Sequence, residues 1–449
     1  MHIPQEPPDI TKVMGEGDNR SKITEYFQRE DVKEFVAKVN SKYLHWDEVR
    51  HRPVPTDTNH EVLWALIKLI RNYDIKIIKI SDINNFTFRY KLTDHTLQKL
   101  HEFDLNLGGS LNSGSVIPSE DRDKYLVSSI MEEAIASSQL EGAATTREIA
   151  KEMLQTDREP KTKSERMILN NYITIKKILD LRGEELTPEM ILDIHSTIAN
   201  RTLSVKESEG RFRESNDVVV KERSSGKIVY IPPKYELIPK LIEDLCEFAN
   251  KSPHDEFMHP IVKATVLHFL VGYIHPFIDG NGRTARAIFY WYMLNHDYWL
   301  FEFMSISRTI IKSPAQYARA YLYTEKDEND LTYFINYQIK TMDQALKDLK
   351  TYINRQVKKK SENGFYKLLK IEGINNRQVY LLREFSESPE KMMTINEVKN
   401  IFNIVYQTAR TDLLGLVEIG FLKVKRSERR KLLFFRSENF EKLLDARIG

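Results

Sequence analysis

Twelve consecutive residues, His275 to Arg286, combine the side chains that a phosphate-transfer site requires. They read His-Pro-Phe-Ile-Asp-Gly-Asn-Gly-Arg-Thr-Ala-Arg. Histidine is the side chain best suited to remove a proton near neutral pH. Asp279 is a hard oxygen ligand of the kind that Mg²⁺ prefers, and a Gly-Asn-Gly turn can direct successive backbone N–H groups at one anion. The segment therefore predicts a site where the phosphates of a nucleoside triphosphate are attacked.

Two helices are expected to position this segment. Residues 260–274 are mostly apolar and long enough for a buried helix. That helix should stop before Pro276, because the residue before a proline disfavours the helical conformation. A second helix is predicted to begin near Arg283, and its N-terminal dipole favours phosphate. Arg283 and Arg286 are three residues apart, so they share one helix face, and arginine forks suit phosphate oxygens.

The same twelve residues resemble the signature HPFx(D/E)GNGRxxR of Fic-domain proteins, with every fixed position present. The resemblance implies transfer of AMP from ATP to a hydroxyl group of a target protein or of the chain itself. By position, His275 would deprotonate the Ser, Thr or Tyr hydroxyl, Asp279 would hold Mg²⁺, and Arg286 would clamp the γ-phosphate. The nucleotide-binding residues implied by the resemblance are Gly280, Asn281, Gly282, Arg283, Thr284 and Arg286.

A second segment resembles the inhibitory motif (S/T)xxxE(G/N) of this family. Ser137, Glu141 and Gly142 occupy its fixed places after a helix predicted over about 124–139, with Gly142 as its C-cap. In the family this glutamate pairs with the second arginine of the signature. The resemblance therefore implies a Glu141–Arg286 pair that occupies the fork needed by the γ-phosphate. Some relatives use the glutamate to position a water and remove AMP, and that activity stays an alternative.

A β-hairpin is predicted before the signature. Two β-branched runs, 218–220 and 228–231, flank a polar turn that includes Ser224. The hairpin resembles the flap with which Fic proteins align an extended target segment by strand addition, and the resemblance places Val219 against nucleotide or target. Tyr317 stands where the family often has an aromatic residue against adenine, although a tyrosine on a helix is also commonly a core residue.

The composition narrows the class of protein. The 449 residues suffice for two or three domains, and 65 acidic against 67 basic residues give no overall charge that indicates nucleic-acid binding. One cysteine, Cys246, excludes an internal disulfide framework and suits a reducing compartment. No apolar run approaches the roughly 20 residues that span a bilayer, and the first residues lack a signal-peptide pattern. We expect a cytoplasmic protein without membrane contact.

The predicted fold class is mainly α, with a Fic-type helical core, a β-hairpin flap and a C-terminal winged helix-turn-helix domain. The first 25 or so residues are expected to be irregular. An apolar stripe on a long helix near residues 329–359 predicts either core packing or a homodimeric coiled coil. The stripe consists of Ile339, Met342, Leu346, Leu349 and Ile353. The predicted boundaries are 1–120 for an N-terminal helical extension, 121–345 for the core with its inhibitory helix at about 124–142, 346–375 for the long helix and linker, and 376–449 for the winged helix.

The C-terminal domain has the order helix, helix, helix, hairpin, which resembles a winged helix. Arg410 on the third helix is placed to reach a DNA base edge, whereas Asp412 and Glu418 reduce the positive charge of that helix. Arginines at the predicted wing tip offer phosphate contacts, and they are Arg426, Arg429 and Arg430. Winged helices also dock proteins, so both partners stay open. A DNA-binding regulator whose Fic domain senses a nucleotide is the competing interpretation, but a pure sensor would not require His275 and Asp279.

Overall fold

Helices make up most of the structure, a computed structural model that describes residues 3–80, 86–107, 122–222, 225–251, 257–362, 373–426 and 431–448. This confirms the predicted mainly α fold. The helices of the described residues are α1 (Ile10–Gly15), α2 (Asn19–Gln28), α3 (Glu30–Ser41), α4 (Trp46–Val49), α5 (His60–Asn72), α6 (Asp94–Leu107), α7 (Arg122–Leu140), α8 (Arg147–Thr156), α9 (Lys163–Asp180), α10 (Pro188–Ala199), α11 (Ile238–Asn250), α12 (Pro260–Ile274), α13 (Asn281–Asn295), α14 (Ile306–Ile310), α15 (Pro314–Lys326), α16 (Thr332–Glu362), α17 (Asn376–Glu387), α18 (Ile395–Phe402), α19 (Tyr406–Ile419) and α20 (Phe440–Ile448).

Short antiparallel strands form three small sheets among the described residues. The strands are β1 (Lys76–Lys79), β2 (Thr87–Tyr90), β3 (Val220–Lys221), β4 (Ile228–Tyr230), β5 (Met393–Thr394), β6 (Leu422–Arg426) and β7 (Leu432–Arg436). Strand β1 pairs with β2, β3 pairs with β4, and the third sheet has the order β5-β7-β6. Two predicted features, the flap-turn residue Ser224 and the wing-tip arginines Arg429 and Arg430, lie outside the described residues.

The prediction of an irregular N-terminus is wrong, because helices α1 and α2 occupy most of it. The Asp9 side chain caps α1 by accepting hydrogen bonds from the N–H groups of Thr11 and Lys12. Val13 on α1 and Ile23 on α2 are buried in one apolar cluster that also includes residues of α3 and α5. The proline and glycine content of the segment obscured these short helices, whose stability comes from that packing rather than from helix propensity.

The chain divides into two compact units. The first unit contains residues 1–108, 177–299 and 309–343, and the second contains 109–176, 300–308 and 344–449. Helices α12 and α13 lie in the first unit, whereas α7 lies in the second together with the C-terminal segment. These units differ from the predicted sequence domains, whose boundaries stay predictions.

Helix α12 is the buried centre of the first unit. Its N-cap is His259, whose Nδ1 accepts the Ile261 N–H at 3.2 Å, and Pro260 follows at the first helical position, where an N–H is not needed. Every residue from Ile261 to Val271 is buried. A helix that is buried on all sides belongs to a protein core, and this packing fixes the position of its C-terminal end.

A buried ionic contact joins the N-terminal extension to the rest of the first unit. Lys68 on α5 donates to Asp327 at 2.8 Å, and both side chains are almost fully buried. The Tyr333 hydroxyl donates to the other oxygen of Asp327 at 2.7 Å. Burial opposes ionisation of Asp327, but the Lys68 ammonium and these hydrogen bonds outweigh it and lower the pKa of the carboxyl.

We predict that Lys68→Met destabilises the first unit by about 3–5 kcal/mol, because removing one partner of a buried ion pair leaves the other charge uncompensated. Urea unfolding monitored by tryptophan fluorescence measures the change. The matched control is Lys22→Met, which removes the exposed Lys22–Asp18 pair of α2 and should barely move the unfolding midpoint. Equal shifts for the two variants would contradict a structural role for the buried pair.

The C-terminal segment of the second unit contains three helices and a three-stranded sheet. Helices α17, α18 and α19 precede the β6–β7 hairpin, in the predicted order. Met393 and Thr394 form β5, and Thr394 then caps α18 in a capping box with Glu397. Asn403 and Gly420 end α18 and α19 with positive φ angles of 51° and 94°.

Helix α18 packs on α7 and α8 within the second unit. The Asn400 side-chain amide donates to the carbonyl oxygens of Leu154 and Gln155 at 3.2 and 2.9 Å. These carbonyls lie in the last turn of α8, where a helix leaves acceptors without partners of its own. The contact attaches the C-terminal segment to the helices on either side of the predicted inhibitory motif.

The five side chains of the apolar stripe on α16 are buried within the single chain, and their exposed fractions range from 0 to 8%. Core packing therefore accounts for the stripe. The stripe no longer supports a homodimeric coiled coil, because these side chains are already covered. In the described part of the chain we find no helix with the length and apolar character needed to cross a membrane.

Candidate active site

His275 lies immediately after α12 in a left-handed conformation, with φ of 51° and ψ of 56°. Its N–H donates to the Val271 carbonyl at 3.0 Å, which closes the helix, so the predicted helix end at residue 274 is confirmed. The imidazole Nδ1 lies 3.1 Å from the Gly272 carbonyl oxygen. A carbonyl only accepts, so this hydrogen bond requires the proton on Nδ1. The lone pair then lies on Nε2, which is the arrangement of a base.

The loop between α12 and α13 is held by the side chain of Asn281. Its Oδ1 accepts the Phe277 N–H at 2.9 Å, and its Nδ2 donates to the Phe277 carbonyl at 2.7 Å. Gly280 has a φ of 87°, which favours glycine, and its carbonyl accepts the Thr284 hydroxyl at 3.0 Å. The prediction that α13 begins near Arg283 is two residues late. The Asn281 side chain is used to support the loop, so the donor that this residue can offer a phosphate is its backbone N–H.

His195, which was not singled out in the sequence, holds the same loop from α10. Its Nδ1 accepts the Gly210 N–H at 3.1 Å, so Nε2 carries the proton and donates to the Asp279 carbonyl at 2.9 Å. The imidazole stacks on Phe277 with ring centroids 3.6 Å apart. Burial lowers the pKa of His195 to about 4, and the Arg283 charge contributes in the same direction. The sequence shows only a histidine in an apolar helical run, so no local signal marks this role.

Two buried arginines extend from the first turns of α13. Arg283 is 1% exposed; its Nη1 donates to the Ile198 carbonyl at 3.2 Å, and its Nη2 lies 3.7 Å from Asp279 Oδ1. Arg286 is also 1% exposed. The N-terminus of a helix has backbone N–H groups without intrahelical partners and a positive dipole end. The structure thus concentrates positive charge and donors where the sequence predicts phosphate binding.

The predicted nucleotide contact Tyr317 belongs to a polar chain next to Arg286. Gln338 Nε2 donates to His268 Nδ1 at 2.7 Å, so His268 Nε2 carries the proton and donates to the Tyr317 hydroxyl at 2.9 Å. Burial, and then the Arg286 charge, lower the pKa of His268 well below its usual value. The same Arg286 charge acts on Tyr321, a ring neighbour of Tyr317. Tyr317 and Arg286 therefore lie in one neighbourhood, although contact with adenine stays a prediction.

The hairpin before the signature is present but shorter than predicted. Only Val220 and Lys221 form β3, which pairs with β4 through an irregular register, and the half-buried Val219 precedes it. The β-branched run at 218–220 overstated the strand, because a two-stranded ribbon gains little from β propensity without further packing. The Tyr230 hydroxyl at the end of β4 donates to the Tyr273 carbonyl at 2.8 Å. The hairpin is thereby attached to the last turn of α12.

Arg213, at the start of the hairpin segment, contacts the loop between α12 and α13 directly. Its Nε donates to the His275 carbonyl at 3.0 Å and its Nη1 to the Ser215 carbonyl at 2.8 Å, while Nη2 donates to the Pro233 carbonyl. The side chain is 3% exposed, and burial lowers the pKa of the guanidinium. The sequence shows Arg213 only as one of two arginines before a predicted strand, with nothing to separate it from exposed Arg211.

The predicted inhibitory residues lie at the end of α7. The helix stops at Leu140, and the N–H of Ala143 donates to the Ser138 carbonyl across a turn in which Gly142 has a φ of 99°. Gly142 thus ends the helix as predicted, and Ser137 is buried. Glu141 belongs to the second unit and Arg286 to the first, so the Glu141–Arg286 pair stays a prediction.

Asp279 fits the role of a Mg²⁺ ligand by its donor chemistry. Its Oδ1 accepts the Gly280 N–H at 2.6 Å, and 45% of the side chain remains exposed. Within the described residues, no group of three or more His, Cys, Asp or Glu side chains could hold a metal by itself. Mg²⁺ at nucleotide sites is usually held by one or two carboxylates together with substrate phosphates and waters, so one carboxylate suffices here.

The sequence of this chain is similar to those of known Fic proteins in the region that contains the site. Residues 185–293 match the Fic/DOC family, so the chain carries a Fic domain over α10 to α13 and the hairpin. Over 115 residues the chain is 32% identical to a protein adenylyltransferase Fic of Nematostella vectensis, covering 25% of the chain and 24% of that protein. Over 212 residues it is 28% identical to the protein of the same name from Drosophila erecta, covering 45% and 39%. The chain therefore spans about a quarter to two fifths of these relatives.

Solved structures of Fic proteins are also similar. A Fic family protein from Desulfovibrio desulfuricans has a TM-score of 0.46 and 17% identity, over 76% of this chain and 94% of that one. A Fic-domain signaling protein from Bacteroides thetaiotaomicron also has a TM-score of 0.46, at 19% identity, over 57% of this chain and 96% of that one.

We predict that His195→Gln weakens the acid sensitivity of the first unit. The pKa of about 4 in the folded state lies below the ordinary 6.5. The unfolded state therefore takes up the proton first, and stability present above pH 6.5 is lost as the pH falls from about 6.5 to about 4. Urea unfolding at several pH values should show a fall that is smaller in the variant by at most about 3 kcal/mol.

His45 provides an internal comparison for this measurement, because burial lowers its pKa to about 4 as well. Its contribution is present in both proteins, so the variant should retain part of the acid sensitivity. Parallel stability curves for wild type and His195→Gln between pH 6.5 and 4 would show that His195 is not held neutral by its environment.

Proposed function

We propose that the protein is an adenylyltransferase that moves AMP from ATP to a Ser, Thr or Tyr hydroxyl of a target protein or of itself. The observation that carries the proposal is that a base at the end of α12 lies in the loop that leads into the positively charged N-terminus of α13. His275 presents Nε2 as the unprotonated nitrogen, and Arg283 and Arg286 are buried in the first two turns of α13. The names of the similar Fic proteins support the same reaction.

In the proposed reaction, His275 Nε2 removes the hydroxyl proton while the hydroxyl oxygen attacks the α-phosphorus of ATP. The new oxygen–phosphorus bond forms as the bond to the bridging oxygen breaks, and pyrophosphate leaves. The backbone N–H groups of Asn281 and Gly282 at the start of α13 orient the phosphates, and Arg286 holds the γ-phosphate. Gly280 and Thr284 keep the turn in shape through the hydrogen bond from the Thr284 hydroxyl to the Gly280 carbonyl. Positioning and charge neutralisation dominate such transfers.

Mg²⁺ bound to ATP would supply further neutralisation of the phosphate charge, and Asp279 would hold it. We propose that Tyr317 lies against the adenine ring, as its position in the Fic family implies, with its hydroxyl held by His268. Val219 would contact the nucleotide or the target segment, since it is half-buried at the entrance to strand β3.

We further propose that Glu141, with Ser137 and Gly142, inhibits the reaction from the end of α7. A carboxylate on Arg286 would occupy the guanidinium fork required by the γ-phosphate, and a misplaced α-phosphate costs a large factor in rate. Removal of AMP from a modified protein remains the alternative activity, because a glutamate at this position could position a water.

The reaction and its inhibition are tested together with ATP labelled at either the α- or the γ-phosphate. Purified wild type, Glu141→Gly and Glu141→Gly/His275→Ala are incubated with Mg²⁺ and cell lysate. We expect the label that depends on His275 to come from α-labelled ATP only, to be at least about tenfold stronger in Glu141→Gly, and to be lost in the double variant. Equal labelling of wild type and Glu141→Gly would refute the inhibition. Label from γ-labelled ATP that appears with Glu141→Gly and is lost in the double variant would refute AMP transfer.

For the C-terminal segment we propose a winged helix that contacts DNA. Asp412, which seemed to reduce the positive charge of α19, is 3% exposed and bonded to Arg377 at 2.6 Å. The exposed face of α19 therefore keeps Gln407, Arg410 and Thr411 without that carboxylate. Side chains of these types read base edges in the major groove.

Duplex binding by this segment is measured by fluorescence anisotropy at low and moderate salt. Arg410→Ala should weaken binding by 1–3 kcal/mol if the arginine contacts a base, whereas Glu418→Ala on the same helix should not weaken it. No salt-dependent binding to duplexes of mixed sequence would favour protein docking instead.

A further inference from the structure

A single buried guanidinium connects the hairpin to the residue that supplies the base. Arg213 donates to the carbonyl of His275 and to the carbonyls of Ser215 and Pro233, one on each side of the hairpin. The backbone N–H of Arg213 also donates to the Pro276 carbonyl at 2.9 Å. Two consecutive residues, His275 and Pro276, and both arms of the hairpin therefore share one attachment point.

The second attachment of the hairpin reaches the same helix end. The Tyr230 hydroxyl donates to the Tyr273 carbonyl, two residues before His275. The carbonyls of the last helical turn have no intrahelical partner, so both contacts satisfy acceptors that the helix leaves open. Arg213 in addition places a positive charge at the negative end of the α12 dipole. The hairpin and the end of α12 thus form one hydrogen-bonded assembly.

An arginine at position 213 is better explained by the geometry of its hydrogen bonds than by a contribution to the stability of the fold. Burying a cation among neutral carbonyls is expensive compared with an apolar residue of similar size. A planar guanidinium can, however, direct three hydrogen bonds to three fixed points, which the single ammonium of lysine cannot reproduce. The contact therefore sets the distance between the hairpin and the imidazole.

We infer that Arg213 is a positioning residue that aligns the hairpin with His275, so that a hydroxyl presented along the hairpin meets Nε2. This inference rests on the proposed AMP transfer. A displacement of about 1 Å between reacting groups can reduce the rate about 100-fold. Loss of the Arg213 contacts should consequently slow transfer much more than it weakens ATP binding, because Arg213 contacts the hairpin and the loop carbonyls, not the arginines of α13.

The test uses the full chain with Glu141→Gly as the parent. Arg213→Lys and Arg213→Gln are compared with Arg211→Lys, a control at the exposed arginine two residues earlier. Rates of self-transfer from α-labelled ATP and the Kd for ATP are measured for each. We expect both Arg213 variants to lose about 10- to 100-fold in rate, with Kd changed less than about twofold, and the control to match the parent.

A role in stability alone would reduce ATP affinity and rate together, and Arg213→Lys would then recover most of both. A joint loss of ATP affinity and rate would overturn the inference, and so would recovery in Arg213→Lys. An unchanged rate in the Arg213 variants would also overturn it. Absence of transfer in the Glu141→Gly parent itself would instead refute the proposed function, and the inference would fall with it. The two failures are therefore distinguishable from the parent alone.

Tyr230→Phe provides a second variant if the Arg213 variants do not fold. It removes only the hydroxyl that donates to Tyr273, so we expect a smaller loss of rate with ATP affinity kept, and faster hydrogen exchange of amides in β3 and β4. If Arg213→Lys does fold, its effect and that of Tyr230→Phe should be less than additive, because both act through one assembly. Unaltered transfer and exchange in Tyr230→Phe would contradict the coupling of hairpin and base.

Discussion

The site depends on side-chain hydrogen bonds to the backbone carbonyls of the turn between α12 and α13. His195 donates to the Asp279 carbonyl, Arg213 to the His275 carbonyl, and Asn281 to the Phe277 carbonyl. Each such hydrogen bond contributes only about 0.5–1.5 kcal/mol net, but a buried carbonyl left without a donor costs more. The turn therefore keeps one conformation, with His275 in the left-handed region and its Nε2 available as a base.

Two buried arginines at the start of α13 concentrate positive charge where an anion would bind. Arg283 donates to the Ile198 carbonyl, and its Nη2 lies 3.7 Å from Oδ1 of the partly exposed Asp279. Burial lowers the pKa values of His195 and His268, and the charges of Arg283 and Arg286, respectively, lower them further. They contribute hydrogen bonds and add no further positive charge. The result is a site in which backbone dipoles and arginines favour phosphate, and neutral imidazoles hold the loop and Tyr317.

The local features were predictable where one residue type dictates the backbone. Pro276 marks the end of α12, because a proline disfavours the helical conformation of the residue before it. Gly142 and Gly420 end α7 and α19, because glycine readily adopts positive φ angles. The supporting residues were not predictable, since the roles of His195 and Arg213 depend on carbonyls 84 and 62 residues away. The same holds for Asp412, which was expected to reduce the positive charge of α19 and which pairs with Arg377. The predicted length of strand β3 was wrong because β pairing depends on the partner strand as well as on the β propensity of the residues.

The most direct test of the account is the intact mass of Glu141→Gly and of Glu141→Gly/His275→Ala after incubation with ATP and Mg²⁺. We expect added mass of one or more adenylyl groups on the first protein and none on the second, because the proposed reaction assigns removal of the hydroxyl proton to His275. Equal adenylyl addition to both proteins would show that the base lies elsewhere. Addition of a phosphoryl group in place of an adenylyl group would contradict the assignment of the attacked phosphorus.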